Sequence, residues 1–279
     1  MIKEILKATL IQVKADLRPQ FKVGGLLSLL FTPILYLGIF WYSSRSGNSF
    51  SEFSLGSVLA ASLIGGYASF ACIQLPQEMY IEHLNGTLLR VKFLPFGIPA
   101  WMIGKIVSLS AVTIFQIVSL FVGAAFLPPD FSFSFTQYLL TLLILLIAIS
   151  ANTPIAFLFG TLTRNTYATL IVYAAMIGIF SLSGVVFPIT LLPGWLMWVA
   201  YITPGYWAAY LTRSIFLDTG ARTFFGDSLG YEWLALLLLV AWTILGFTVA
   251  SFAIWRTFKK ETTSVLVSRR HKVDSQLGM

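Results

Sequence analysis

Residues 77–95, QEMYIEHLNGTLLRVKFLP, are the one long mixture of polar and apolar residues between two strongly apolar runs. At helical spacing Ile81, Leu84, Leu88 and Val91 fall on one side and Glu78, Glu82, Asn85 and Lys92 on another, the periodicity of a helix lying along a surface. Gly86 interrupts it. A glycine costs about 1 kcal/mol against alanine inside a helix, so it marks either a bend or a place where another backbone comes close. Two readings fit this pattern equally, an ordinary solvated loop helix and a docking helix at the inner face of a membrane.

Working outward, apolar runs long enough to cross a hydrocarbon core of about 30 Å occur at Gly24–Tyr42, Leu55–Leu75, Gly97–Leu127, Gln137–Gly160, Ala168–Phe187 and Trp233–Trp255. Only 10% of the 279 residues are charged, against roughly 25% in a soluble domain. The expected fold is therefore an all-α integral membrane protein with six transmembrane helices. The chain divides into an N-terminal interfacial helix (1–22), a six-span transmembrane domain (23–258) and a basic tail (259–279). What is left over is too short and scattered for a second soluble domain, so a large catalytic domain would belong to another polypeptide.

Orientation follows from the basic residues. With the N-terminus inside, fifteen of the eighteen are cytoplasmic, including Arg90, Lys92, Lys105, Arg164 and the cluster from Arg256 to Lys272; Arg45, Arg213 and Arg222 remain outside. Both termini are then cytoplasmic. The net charge of +7 is accounted for by this asymmetry, with no nucleic-acid partner. Within residues 1–22, Ile2, Ile5, Leu6, Val13 and Leu17 share one helical face, and Lys3, Lys7, Lys14 and Arg18 the other, as in a helix resting on anionic headgroups. The following apolar run is too long for a secretory signal, and Ser43-Ser44-Arg45 offers no small-residue cleavage site.

Several spans carry further information. The second holds Gly56, Ala60, Ala61, Ser62, Gly65, Gly66 and Ser69, and the fifth Ala174, Gly178 and Ser181. Such small faces admit a close neighbour, either inside one bundle or across a subunit interface, and place both helices centrally. Lys105 lies eight residues into the third run and is read as snorkelling to the inner headgroups, because a charge at the bilayer centre costs roughly 2.5–3.5 kcal/mol. Pro128-Pro129-Asp130 makes a short outer turn. From Ser181 to Ser214 the chain is apolar and aromatic but punctuated by Pro188, Pro193 and Pro204, so it cannot be one spanning helix. Trp195, Trp198, Tyr201, Tyr206, Trp207 and Tyr210 favour headgroup depth, giving short outer helices that dip in and return over about 188–215, or a surface-lying loop. An irregular backbone at that depth must be buried by protein, which favours a cap over a permeation path.

Much chemistry is missing. His83 and His271 are the only histidines and Cys72 the only cysteine, so neither a zinc-protease set nor an internal disulfide can be assembled. Gly104-Lys105 is followed by Ile106 where a phosphate-binding loop needs Ser or Thr. The apolar runs hold no Asp or Glu, which proton- or sodium-coupled transporters use near the midplane, so driving energy is expected from a partner.

Two stretches carry a resemblance. Glu82-His83-Leu84-Asn85-Gly86-Thr87-Leu88 is similar to the acidic stretch ending in Gly-Thr-Leu of ABC-2 type permeases, the membrane subunits of ABC exporters for drugs, antibiotics, polysaccharides and lipids. Ser183-Gly184-Val185-Val186-Phe187-Pro188, then Leu192-Pro193-Gly194-Trp195-Leu196, Thr203-Pro204 and Arg213, resembles the end of that family's fifth helix and its re-entrant outer helices. With the six-span layout, the likeness covers nearly the whole chain. Leu84 and Arg90 depart from it, standing where acidic residues are common.

The resemblance implies a coupling helix at about 77–95, with Glu78, Glu82, Asn85, Gly86, Thr87, Leu88 and Arg90 meeting a separate ABC ATPase. It implies two permease subunits, this chain with itself or a paralogue, and two ATPase subunits. ATP and magnesium would sit on the ATPase, with no cofactor and no metal on this chain, which would not itself be an enzyme. Tyr67, Phe70, Tyr173 and Phe180 would line the path, and Phe187, Pro188, Pro193, Trp195 and Pro204 would form the outer gate. A wall without fixed charge suits an apolar or amphipathic cargo, such as a drug, antibiotic, peptide or lipid. The implied location is the cell membrane, in a bacterium the cytoplasmic one, in contact with membrane lipids. Polysaccharide export remains open, and so does a reading from another class, an integral-membrane enzyme or assembly scaffold sharing the bundle. Co-purification of a lone ATPase separates these.

Overall fold

The computed structural model describes residues 2–45, 49–50, 53–124, 134–163, 165–185, 188–227 and 229–260. Pro128-Pro129-Asp130, Arg164, Phe187 and most of the basic tail therefore lie outside the described residues. The described chain is a bundle of α-helices: α1 Ile2–Gln20, α2 Val23–Arg45, α3 Leu55–Ile73, α4 Leu75–Asn85, α5 Thr87–Phe93, α6 Gly97–Ala124, α7 Phe135–Gly160, α8 Thr166–Leu182, α9 Gly194–Ile202, α10 Pro204–Phe216, α11 Thr219–Phe224 and α12 Glu232–Lys260. Among the described residues the β structure is a minimal antiparallel ladder in which Ser49 faces Ser54 and Phe50 faces Phe53.

Each of the six apolar runs contributes a helix, and among the described residues five stretches are long and apolar enough to cross a membrane: within α2, the run Gly56–Asn85, and within α6, α7 and α12. The fifth run yields α8, of 17 residues, about 25 Å against a core of about 30 Å. Helix starts follow local chemistry. Ser134 and Gln137 form a reciprocal capping box at α7, while the side chains of Asn165 and Asp218 accept from Ala168 N at 2.7 Å and Ala221 N at 2.8 Å to open α8 and α11. Each such cap contributes about 1 kcal/mol.

The small residues of α3 have a clear use. A Cβ on Gly65 would stand 2.6 Å from both the Ala208 carbonyl oxygen and Ala209 Cα, and one on Gly66 would run into Val185. Ala60, Ala61, Ser62 and Ala68 are buried beside them. The alternatives left open by the sequence thus resolve toward packing inside the chain: α3 sits at the centre with α10 pressed on it. The fifth run behaves otherwise. Gly178 has open space at its Cβ position, Ala174 is exposed, and Tyr167, Leu170 and Ile171 point outward, so α8 is peripheral in the chain and not central as expected.

The prolines act as expected from their fixed φ and missing donor. Pro188 precedes a 3-10 turn (Ile189–Leu191), Pro193 precedes α9, and Pro204 is the first residue of α10. The aromatic residues between them divide by helix. Trp195 and Trp198 of α9 are about 70% exposed, whereas Tyr206 and Tyr210 of α10 are buried. The two buried tyrosines pack in one cluster with Ile144 and Ala151 of α7 and Ala235 and Leu239 of α12.

Residues 2–20 form the expected helix, docked on α6. Gly104 leaves room for the stem of Gln12, and Thr9 Oγ1 donates to the Ala100 carbonyl at 3.5 Å. The side turned to the bundle includes Thr9, Gln12 and Asp16, while Leu6, Leu10 and Ile11 face outward with the lysines.

Candidate functional site

The chain leaves α3 through one residue, Gln74, itself in right-handed helical conformation (φ −74°, ψ −23°), and continues as α4. At Gly86 it turns: φ is 72°, and the Gly86 N–H caps α4 on the carbonyls of Glu82 and His83. Of the two readings of this glycine, the structure shows the bend, in a backbone region that costs other residues roughly 1–2 kcal/mol. Because of it, α4 and α5 do not share one face. Leu75, Met79, Tyr80 and His83 turn inward on α4, and Leu88 and Val91 on α5. Ile81, assigned to the apolar face, is instead 47% exposed, and Leu84 is half-buried. Met79 occupies the space that Gly160 leaves at the end of α7, and the Tyr80 hydroxyl pairs with Thr166 Oγ1 at 3.2 Å. Asn85 and Arg90 are exposed and Thr87 half-buried.

The carboxylates of α4 are turned toward Lys105, with Glu82 largely covered and Glu78 about one-third exposed. Lys105, 3% exposed, lies 2.7 Å from Glu82, 3.0 Å from Glu78 and 3.2 Å from Asp16 of α1. Trp101 Nε1 donates to the other Glu82 oxygen at 2.7 Å. Gln12 Nε2 and Ser108 Oγ donate to the two Asp16 oxygens at 3.0 and 3.4 Å. The snorkelling expected of Lys105 is thus overturned: its ammonium is spent on three carboxylates brought by two other helices, which offset the desolvation that made a buried lysine costly. Glu78 and Glu82, read as able to meet a partner's basic groups, are engaged within the chain. The cluster borders a cavity of about 470 Å³ walled by Leu29, Ile81, Leu109 and Gln116, among others. The signal for this arrangement was the i, i+4 pair Glu78/Glu82 facing the i, i+4 pair Trp101/Lys105, with Thr9, Gln12 and Asp16 as a third stripe.

Of the four aromatic residues expected to line a path, three meet. Tyr67 and Phe70 have centroids 6.1 Å apart, and Phe70 and Phe180 5.7 Å. Tyr36 of α2 joins them edge-on to Tyr67 at 5.8 Å. Tyr67 and Phe180 are buried, and Phe70 and Tyr173 are half-buried against the core. Among the expected outer-gate residues, Pro188 and Pro204 are buried and Pro193 and Trp195 exposed.

A second ion pair was not foreseen. Arg213 of α10, expected outside, is wholly buried, and its Nε and Nη2 donate to the two oxygens of Asp227 at 2.6 and 2.8 Å. Its Nη1 reaches the Gly184 carbonyl at 3.2 Å and Ser62 of α3 at 3.4 Å. Tyr206 donates to Asp227 at 3.1 Å, and the guanidinium stacks 4.8 Å over Phe225. Arg222, also expected outside, is buried and donates to Glu232 at 2.8 Å. Both arginines are paired within the protein, one with Asp227 and the other with Glu232.

A helical bundle with five candidate spans among the described residues and buried ionic ties between its helices is a multi-pass membrane protein. The chain belongs to the ABC-2 type transporter family, whose model matches residues 3–217. It is accordingly the permease component of an ABC transporter, a transport subunit and not itself a catalytic enzyme, of a family that typically works with an ABC ATPase. The match takes in α1 through α10, including Lys105 and its three carboxylates. No curated protein matches the chain.

Proposed function

We propose that this chain forms half of the translocation path of an ATP-driven exporter for an apolar or amphipathic cargo, and that α4, Gly86 and α5 are where a separate ABC ATPase engages it. The observation that carries the reading is the left-handed turn at Gly86 directly following the helix whose Glu78 and Glu82 hold Lys105. A push on that turn reaches α1 and α6 through one ionic cluster. In this reading α8 serves as a sixth span, both termini are cytoplasmic, and the complex holds two permease and two ATPase subunits in the cell membrane. The second permease is another copy or a paralogue. ATP and magnesium stay on the ATPase. Tyr67, Phe70, Tyr173 and Phe180 supply an uncharged aromatic wall, which favours drug-like, peptide or lipid cargo over small ions.

The test has two arms. Co-purification with an ABC ATPase and export by the reconstituted pair support the reading; consistent absence of such a partner defeats it. In a Cys72→Ser background, Thr223→Cys labels from outside and Asn85→Cys does not. Labelling of Asn85→Cys from outside reverses the orientation.

A further inference from the structure

Where α5 and the start of α6 approach the end of α12, a groove of about 550 Å³ opens, walled by Leu94, Phe96, Ile98, Met102, Phe252 and Trp255. Leu94, Phe252 and Trp255 are each at least half exposed, so the groove is apolar and accessible from outside the bundle. One end is basic. Lys92 lines it, and its Nζ donates to the Lys259 carbonyl at 3.4 Å, while Lys259 Nζ sits 3.4 Å from the centre of the Trp255 ring. Two ammonium groups are thereby gathered at one rim. Gly97, Ile98 and Pro99, also in the wall, are the first residues of the 28-residue α6, whose amino end adds partial positive charge.

We propose that this groove binds an anionic phospholipid, its phosphate between Lys92, Lys259 and the amino end of α6, and one acyl chain lying between α6 and α12. The dimensions agree. From Ser251 at the apolar end to Lys259 is eight residues, about 12 Å along a helix, enough for a phosphoglycerol head and the first carbons of a chain. An aromatic ring beside ammonium groups at a helix end is the arrangement found at bilayer interfaces, and basic pockets between spanning helices select acidic headgroups. A zwitterionic lipid brings its own ammonium into the same place and is disfavoured. The assignment needs α6 and α12 to span a bilayer, which their length and composition allow, and it is independent of cargo and of ATPase coupling.

The experiment titrates dioleoylphosphatidylglycerol, and separately dioleoylphosphatidylcholine, onto the detergent-purified full chain without ATPase, counting bound lipids by native mass spectrometry. The first phosphatidylglycerol is expected to bind more tightly than the first phosphatidylcholine. Lys92→Gln combined with Lys259→Gln should lower the first phosphatidylglycerol affinity about tenfold. Lys3→Gln with Lys7→Gln, two exposed lysines of α1, should leave it unchanged. Met102→Trp, which fills the apolar end, should weaken it without changing any charge. Equal affinity for the two lipids, an unaltered double variant, the same loss in the α1 pair, or full affinity in Met102→Trp would each overturn the assignment.

Discussion

Replacing Lys105 by Met keeps most of the side-chain volume and deletes the charge. Three carboxylates, each 2.7–3.2 Å from the missing ammonium, are then left facing one another. Breaking a buried ion pair by removing one partner costs about 3–5 kcal/mol. Glu78 is 34% exposed and a cavity borders the cluster, so water screens part of the repulsion, and we take about 2–4 kcal/mol. For a chain of this size that corresponds to a fall in Tm of roughly 5–10 °C. The single buried Cys72 supplies the assay, since a thiol-reactive fluorophore reports the temperature at which the bundle opens. The diagnostic variant is Lys105→Met with Glu78→Gln and Glu82→Gln. Removing charge on both sides should recover at least half of the lost Tm, because residues in one ionic network are not additive. In the ATPase complex the triple variant should regain stability while cargo-stimulated hydrolysis remains uncoupled. An unchanged Tm in Lys105→Met, or a triple variant whose loss equals the sum of its parts, would refute the reasoning.

Gly86→Leu places a branched side chain at φ 72° and should abolish export and weaken ATPase association or its stimulated hydrolysis, leaving cargo binding to the isolated permease intact; Gly86→Asn, which tolerates that region at lower cost, should be milder. Lost cargo binding with hydrolysis intact would remove this turn from the coupling role. Gly65→Ala meets backbone on α10 and should cost about 1–3 kcal/mol, whereas Gly178→Ala, facing open space, should lie within about 0.5 kcal/mol of wild type in thermal unfolding of the isolated chain. Arg213→Lys retains the charge but not the two-pronged contact with Asp227, and is expected to lower Tm nearly as far as Arg213→Met; a wild-type Tm for Arg213→Lys would show that the fork geometry is dispensable.

Features encoded by one residue's own conformational limits were legible in the sequence: the turn at Gly86, the helix starts at Pro193 and Pro204, and the apolar length of the runs. So was the use of the small face of α3, though not its partner, since packing between distant elements leaves only half its record in either one. The ionic sites were misread for the same reason. Asp16 stands 62 residues from Glu78 and 89 from Lys105 along the chain, and each of the four charges alone looks like an exposed interfacial one. Arg213 and Asp227 are close in sequence, but nothing in that spacing reveals that α10 turns inward and closes the space between them. The short α8 reflects a different limit: hydropathy reads composition across Ala168–Phe187, while helix length depends on where Ser183 and Gly184 end the hydrogen-bonded ladder.

The near-continuity of α3 and α4 gives the bundle something like a crankshaft. The run Gly56–Asn85 carries Ser62 near one end, touching Arg213, and Glu82 near the other, gripping Lys105. Those two residues are about 30 Å apart along a helix axis, so one shaft is keyed into ionic sockets at both ends. Twist applied at Glu82 is delivered at Ser62 unless the single joint at Gln74, beside Pro76 with its missing hydrogen-bond donor, takes it up. Under the proposed coupling role, stiffness at that joint would set how much torque survives the passage from one end of the shaft to the other.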